Sequence, residues 1–197
     1  MVNRPLVIDD IEDLRTYERG RDDYRRSIIE LKRRRRVSVG PFVTLVFENR
    51  ETVRFQVQEM ARAEKMISDE QVQGELDVYN ALLPSSGELS ATLFIELTDE
   101  AELREWLPKL VGIERSVELR IGTADVARAR PEAAHEEALT RPAMTASVHY
   151  LRFPLTADQR RRFADGPVVL AVTHPDYRHE TTLSDATRRE LATDLDR

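Results

Sequence analysis

Cysteine is absent from the 197 residues. That excludes disulfides, a thiolate nucleophile, cysteine-ligated zinc and a protein-held iron–sulfur cluster. No run approaches the roughly 18 apolar residues of a membrane-crossing helix. Glycine is scarce, at 7 residues. Neither Gly-x-Gly-x-x-Gly nor Gly-Lys-Ser/Thr occurs, so no phosphate-cradling loop is expected. Gly-x-Ser-x-Gly is missing too, and Ser, His and Asp are not spaced as a nucleophilic triad. The opening MVNRPLVIDD turns acidic before an apolar core region can form. No secretion signal is expected, and the default location is cytoplasmic.

What is present is charge. At 41% apolar and 34% charged, the chain exceeds the usual quarter of charged residues. The net charge of −6 argues against non-specific nucleic-acid binding by the whole surface. The charge is uneven. Residues 1–40 hold eleven Lys/Arg against eight Asp/Glu, a surplus of three positive charges, which leaves −9 for the rest. A basic N-terminal arm on an acidic body can pair internally or with another subunit.

The clearest pattern is Gly87 to Leu97. Leu89, Ala91, Leu93, Ile95 and Leu97 share one parity, and Glu88, Ser90, Thr92 and Glu96 the other. A period of two predicts a strand with one face on a core and the other toward water or a thinner layer.

Around it, Ile8 to Arg36 reads as helical, with Tyr17, Tyr24, Ile28 and Leu31 on one face and Lys32 to Arg36 complementing the dipole at the C-terminal end. Val37 to Phe47 reads as a strand broken or bulged at Gly40-Pro41. Glu51 to Ile67 is ambiguous over 51–58, where Val53, Phe55 and Val57 alternate. The good helix formers of QEMARAEKM decide for a helix. Ser68 to Leu83 is a helix whose capping box is Ser68 and Gln71. Thr98 to Gly112 is a helix capped by Thr98, with Pro108 disturbing its end. Val117 to Ile121 is a strand. Residues 122–146 are Ala-rich and hold Pro131 and Pro142; a helix over Glu132 to Leu139 or an exposed excursion is expected. Ser147 to Leu155 is a strand, Thr156 to Gly166 a helix boxed by Thr156 and Gln159, and Val168 to Val172 a central strand. Tyr177 to Leu183 returns as its antiparallel partner, and Ser184 to Leu195 closes as a helix. No internal repeat stands out. The expected fold is α+β: one domain over 1–197, with a mostly antiparallel sheet of about five or six strands, helices packed on it, and a basic N-terminal helical arm over 1–36.

The phrases FENRETVRFQVQEM, ELDVYNALLPSSGELSATLFIEL, VHYLRF and HPDYRHETTL together resemble a bacterial family known only as a domain of unknown function. The resemblance spans nearly the whole chain and is weakest over 122–146. It implies genes beside a rubrerythrin and an iron–sulfur oxidoreductase of the heterodisulfide-reductase type, hence peroxide or redox-stress physiology. It carries over no catalytic residue.

Three chemistries remain to be weighed. The histidines are His135, His149, His174 and His179. His174, His179 and Glu180 lie across one turn, and His149 on another strand could complete a transition-metal site of imidazole and carboxylate. The plainer reading is turn and strand-edge residues bonded to backbone. Glu132 and His135 have the Glu-x-x-His spacing of di-iron bundles, in a single copy where two are needed. Glu59, Glu64, Glu75 and Asp77 could supply acid and base only as a pair with separated pKa values in a cleft. The run Arg33, Arg34, Arg35 and Arg36 could meet a partner or nucleic acid, or cap a helix solvated against the acidic body. Arg50, Arg54, Tyr79 and Asn80 are the mixture that interface hot spots favour.

The first expectation is therefore a non-catalytic accessory or interaction protein. Its partner would be a rubrerythrin or iron–sulfur oxidoreductase, with a homo-oligomer open and no membrane role. No cofactor is predicted. A metal-dependent protein using His149, His174, His179 and Glu180 is the alternative. Nucleic-acid binding through the basic helix is the second.

Overall fold

A computed structural model describes residues 4–123, 125–133, 140–141 and 143–195. The fold is α+β with antiparallel pairing throughout the described strands. Helix α1 runs Leu14–Arg35, capped by Asp13. The expected first strand is instead a hairpin, β1 Arg36–Val39 and β2 Val43–Glu48, with Val39 opposite Val43. Gly40 does more than interrupt the strand: its φ of +77° reverses the chain. A Cβ there would lie 2.5 Å from His179 Cγ and from the Tyr177 hydroxyl.

The ambiguous segment is helical, α2 Arg50–Ala63. Asn49 accepts the Thr52 amide, and the Thr52 hydroxyl accepts the Asn49 amide. Local capping thus overrides the alternation of 53–57. Helix α3, Asp69–Tyr79, starts at the expected Ser68/Gln71 box and ends in a 3₁₀ turn over Asn80–Leu82. Strand β3 is Glu88–Ile95. Helix α4, Glu100–Lys109, is capped by Asp99 rather than Thr98, because the Asp99 carboxylate reaches the Ala101 and Glu102 amides. Strand β4 follows at Val117–Ile121.

Residues 125–131 are more ordered than the excursion expected there. β5 Asp125–Arg128 pairs with β4, and β6 Arg130–Pro131 pairs with β9, which is Val148–Pro154. β7 Thr140–Arg141 and β8 Met144–Thr145 form a small ladder. The helix expected over Glu132 to Leu139, with His135, lies largely outside the described residues. Helix α5 Ala157–Asp165 carries the Thr156/Gln159 box. β10 Val168–His174 and β11 Tyr177–Thr182 form the expected pair, and α6 Asp185–Leu195 closes the chain.

The strands divide into two main sheets, ordered β1-β2-β3-β9-β6 and β11-β10-β4-β5. One core lies between them. Leu45, Phe47 and Leu93 enter it from the first sheet, and Leu119, Leu170 and Val172 from the second. Tyr177 stitches the sheets together: its hydroxyl donates to the Val39 carbonyl at 2.7 Å and accepts the Val43 amide at 3.2 Å. The first sheet's other face is roofed by helices. A smaller apolar cluster there joins Leu6, Val53, Val57, Leu76, Leu82 and Leu83.

Candidate functional site

The histidines fall on different sheets. His149 sits on β9 opposite Leu93, whereas His174 and His179 sit on β10 and β11 of the second sheet. His149 is buried, its Nε2 2.7 Å from the Thr145 hydroxyl and 3.0 Å from the Ala146 carbonyl. Desolvation lowers its pKa from the ordinary value, against the field of nearby Glu114. Glu114 is itself buried, and its Oε2 has no hydrogen-bond partner among the described residues. His174 closes its own turn: Nδ1 accepts the Asp176 amide at 3.2 Å, and Nε2 lies 3.1 Å from the Val111 carbonyl. His179 is exposed and leans on the Tyr177 ring at 4.5 Å between centroids. Glu180 pairs with Arg120 at 2.6 Å. Among the described residues no three His, Asp or Glu side chains come together to hold a metal ion. The set His149, His174, His179 and Glu180 is therefore not assembled; sheet topology separates His149 from the other three. His179, Glu180, Arg120 and Arg178 border an open polar groove of about 370 Å³ on the second sheet.

The arginine run is mostly tied down within the molecule. Arg33 is exposed and pairs with Glu30 one turn away. Arg34 reaches Glu190 on α6 at 2.9 Å. Arg36 pairs with Glu96. Arg35, expected at a surface, is completely buried. Its guanidinium pairs with Asp194 and Glu190 and donates to the Phe47 and Glu48 carbonyls. A buried guanidinium needs that many acceptors, so Arg35 clamps α1 to α6 and β2 and is not free for a partner.

The second expected group lies against the chain's own N-terminal segment. The Asn80 carboxamide accepts the Leu6 amide at 2.8 Å and donates to the Leu6 carbonyl at 3.0 Å. Arg54 donates to the Asp10 carbonyl at 2.8 Å and lies over the Tyr24 ring. Arg50 pairs with the Asp10 carboxylate. Desolvation, the largest single influence, raises the Asp10 pKa. The Val7 amide with Arg50 and Arg4 outweighs it and holds the group at about 2. Tyr79 is half-buried and packs on the cluster around Leu6; burial raises its pKa. Gln58, which sequence reasoning passed over, mirrors Asn80. It accepts the Glu12 amide at 3.0 Å and donates to the Glu12 carbonyl at 2.8 Å. A polar residue on the apolar Val53–Val57–Ala61 side of α2 was the available signal.

Of the four carboxylates considered for acid–base work, Glu59 has structural partners. Arg21 holds it through two bonds, 2.8 and 2.7 Å, and the Tyr17 hydroxyl donates at 2.6 Å. The Arg21 contacts, ahead of burial, keep Glu59 near a pKa of about 2, unsuited to proton exchange at neutral pH.

Beside the N-terminal segment opens an apolar cleft of about 400 Å³. Ile8, Ile11 and Leu14 form one wall, and Met66, Ile67 and Val72 the other. Ile67 precedes the Ser68 cap of α3, the position from which an apolar side chain commonly folds onto the residue four into the helix, here Val72. Instead Ile67 stays 90% exposed. Its apolar character just outside a cap is the signal by which it could have been noticed. No helix among the described residues is long and apolar enough to cross a membrane.

Residues 5–195 match the family described as protein of unknown function (DUF3501). Among solved structures, the chain is similar to a novel protein of unknown function from Burkholderia pseudomallei. The two share 34% identity and a TM-score of 0.89, over 98% of this chain and 100% of that one. No curated protein matches.

Proposed function

We propose a reading that starts from the family to which this chain belongs, the proteins of unknown function DUF3501: the molecule is a non-catalytic interaction protein whose helical layer receives a protein partner. The observation that carries it is Ile67. A large aliphatic side chain left 90% exposed at the mouth of an apolar cleft is unfavourable in water and favourable under a partner. The acid–base candidate Glu59 is engaged internally, and the candidate metal set is distributed over two sheets. The rubrerythrin-type redox system remains the proposed setting; its support is the family resemblance alone.

The test is titration calorimetry of the full chain with a purified rubrerythrin. A complex at micromolar Kd that weakens about tenfold in Ile67→Asp is the expected result. No heat and no complex at tens of micromolar, checked by sedimentation, would remove the rubrerythrin assignment.

A further inference from the structure

Residues 4–12 cross the helical layer as a bound peptide would. Leu6 is 2% exposed and fills the pocket of Val53, Val57, Leu76, Leu82 and Leu83. Two carboxamides grip the backbone, Asn80 at Leu6 and Gln58 at Glu12, each taking both the N–H and the C=O of one residue. Such paired bonds ignore the side chain and accept any backbone of suitable shape, as in strand addition to a sheet edge. Selectivity then falls to two features. One is the aliphatic pocket. The other is Arg50, facing the Asp10 carboxylate, which also closes a turn by accepting the Val7 amide at 2.9 Å. Gln58 is 1% exposed. An empty groove would leave its carboxamide and the apolar pocket without partners, so the groove requires an occupant.

We propose that this groove is a peptide-recognition site closed by the chain's own N-terminal segment. Its partner is a protein segment with an aliphatic residue followed four positions later by aspartate, which displaces residues 4–12. The proposal rests on the reading of the helical layer as an interaction surface, and it names the chemistry of the partner. The tethered segment competes at an effective concentration on the order of millimolar, so a free peptide meets a closed site in the native chain.

The test uses the full chain and a fluorescent peptide copying residues 4–12. Leu6→Asp loosens the tethered segment while leaving the groove intact. The expected result is peptide binding at least about tenfold tighter than to the native chain. Adding Asn80→Ala should weaken it about tenfold, and a peptide carrying Asp in place of its leucine should not bind. A folded Leu6→Asp chain that binds no more tightly than the native one overturns the proposal, as does indifference to the peptide's leucine. If Leu6→Asp does not fold, hydrogen exchange on the native chain decides. The Leu6 and Glu12 amides should exchange about tenfold or more faster than the Val57 amide, reporting local release of the segment. Equal rates, reached only through global unfolding, overturn it. Rubrerythrin binding that depends on Ile67 but is accompanied by no peptide binding removes this proposal alone. Peptide binding without rubrerythrin binding removes the rubrerythrin setting alone.

Discussion

The two faces of the first sheet are built on opposite principles. The inner face is apolar: Leu45, Phe47, Leu89, Leu93 and Phe153 pack against the second sheet with almost no exposed area. At the centre of the sheet the outer face is also buried, but largely polar. Thr44, Glu48, Ser90 and Thr92 lie there at 1–3% exposure. The Glu48 carboxylate accepts from the Thr52 and Thr92 hydroxyls and from Gln56, and Arg35 meets the Phe47 and Glu48 carbonyls nearby. Burial by itself therefore does not distinguish the faces. The inner one is held by area removed from water, and the outer one by hydrogen bonds that fail expensively when one partner goes.

The largest effect expected from breaking this comparison is on the polar side. Arg35→Ala takes the buried guanidinium away from Asp194, Glu190 and the Phe47 and Glu48 carbonyls and should cost about 3–5 kcal/mol in urea unfolding, whereas Arg35→Met should recover part of that by filling the space. On the apolar side, Leu93→Ala leaves a cavity between the sheets and should cost about 2–5 kcal/mol in the same assay. Thr92→Val keeps the volume but removes one donor to Glu48. A loss of about 1–2 kcal/mol in the same assay would separate hydrogen bonding from packing.

Acid sharpens the contrast further. Burial depresses the pKa of His149 in the folded chain, so the unfolded chain takes up the proton first. Stability from this group is complete above the ordinary value of 6.5 and is lost as pH falls below it. Thermal melts should decline from pH 7 to 5 in the native chain and decline less in His149→Asn. Asp10 and Glu59, both near 2, act in a lower window. Their contribution is present above about 4.5 and fades as pH falls toward 2. The smallest effect belongs to Arg33→Ala. Its pair with Glu30 is solvated on both sides, and the melting temperature should not move measurably.

Much of the fold was legible because its signals are local. The Ser68/Gln71 and Thr156/Gln159 boxes, the alternation over 89–97 and the apolar run at 168–172 act within a few residues, and each formed the element it predicts. The 40–42 reversal was half legible. Gly40-Pro41 signals a break, but the Tyr177 hydroxyl and the His179 ring that crowd Gly40 come from 137 and 139 positions away. The candidate site was readable only in part. Arg50, Arg54, Tyr79 and Asn80 all lie against the chain's own N-terminal segment, and Gln58 and Ile67 were not among the residues singled out.

The sequence by itself determined the alternation of helices and antiparallel strands, the absence of thiol chemistry and the basic character of α1. Periodicity, caps and composition need no distant partner. The tertiary structure alone decided that Arg35 is interior, that His149 stands apart from His174 and His179, and that residues 4–12 fill the α2–α3 groove. Each of these depends on which remote groups the fold brings within hydrogen-bonding distance, and side-chain type carries no record of that.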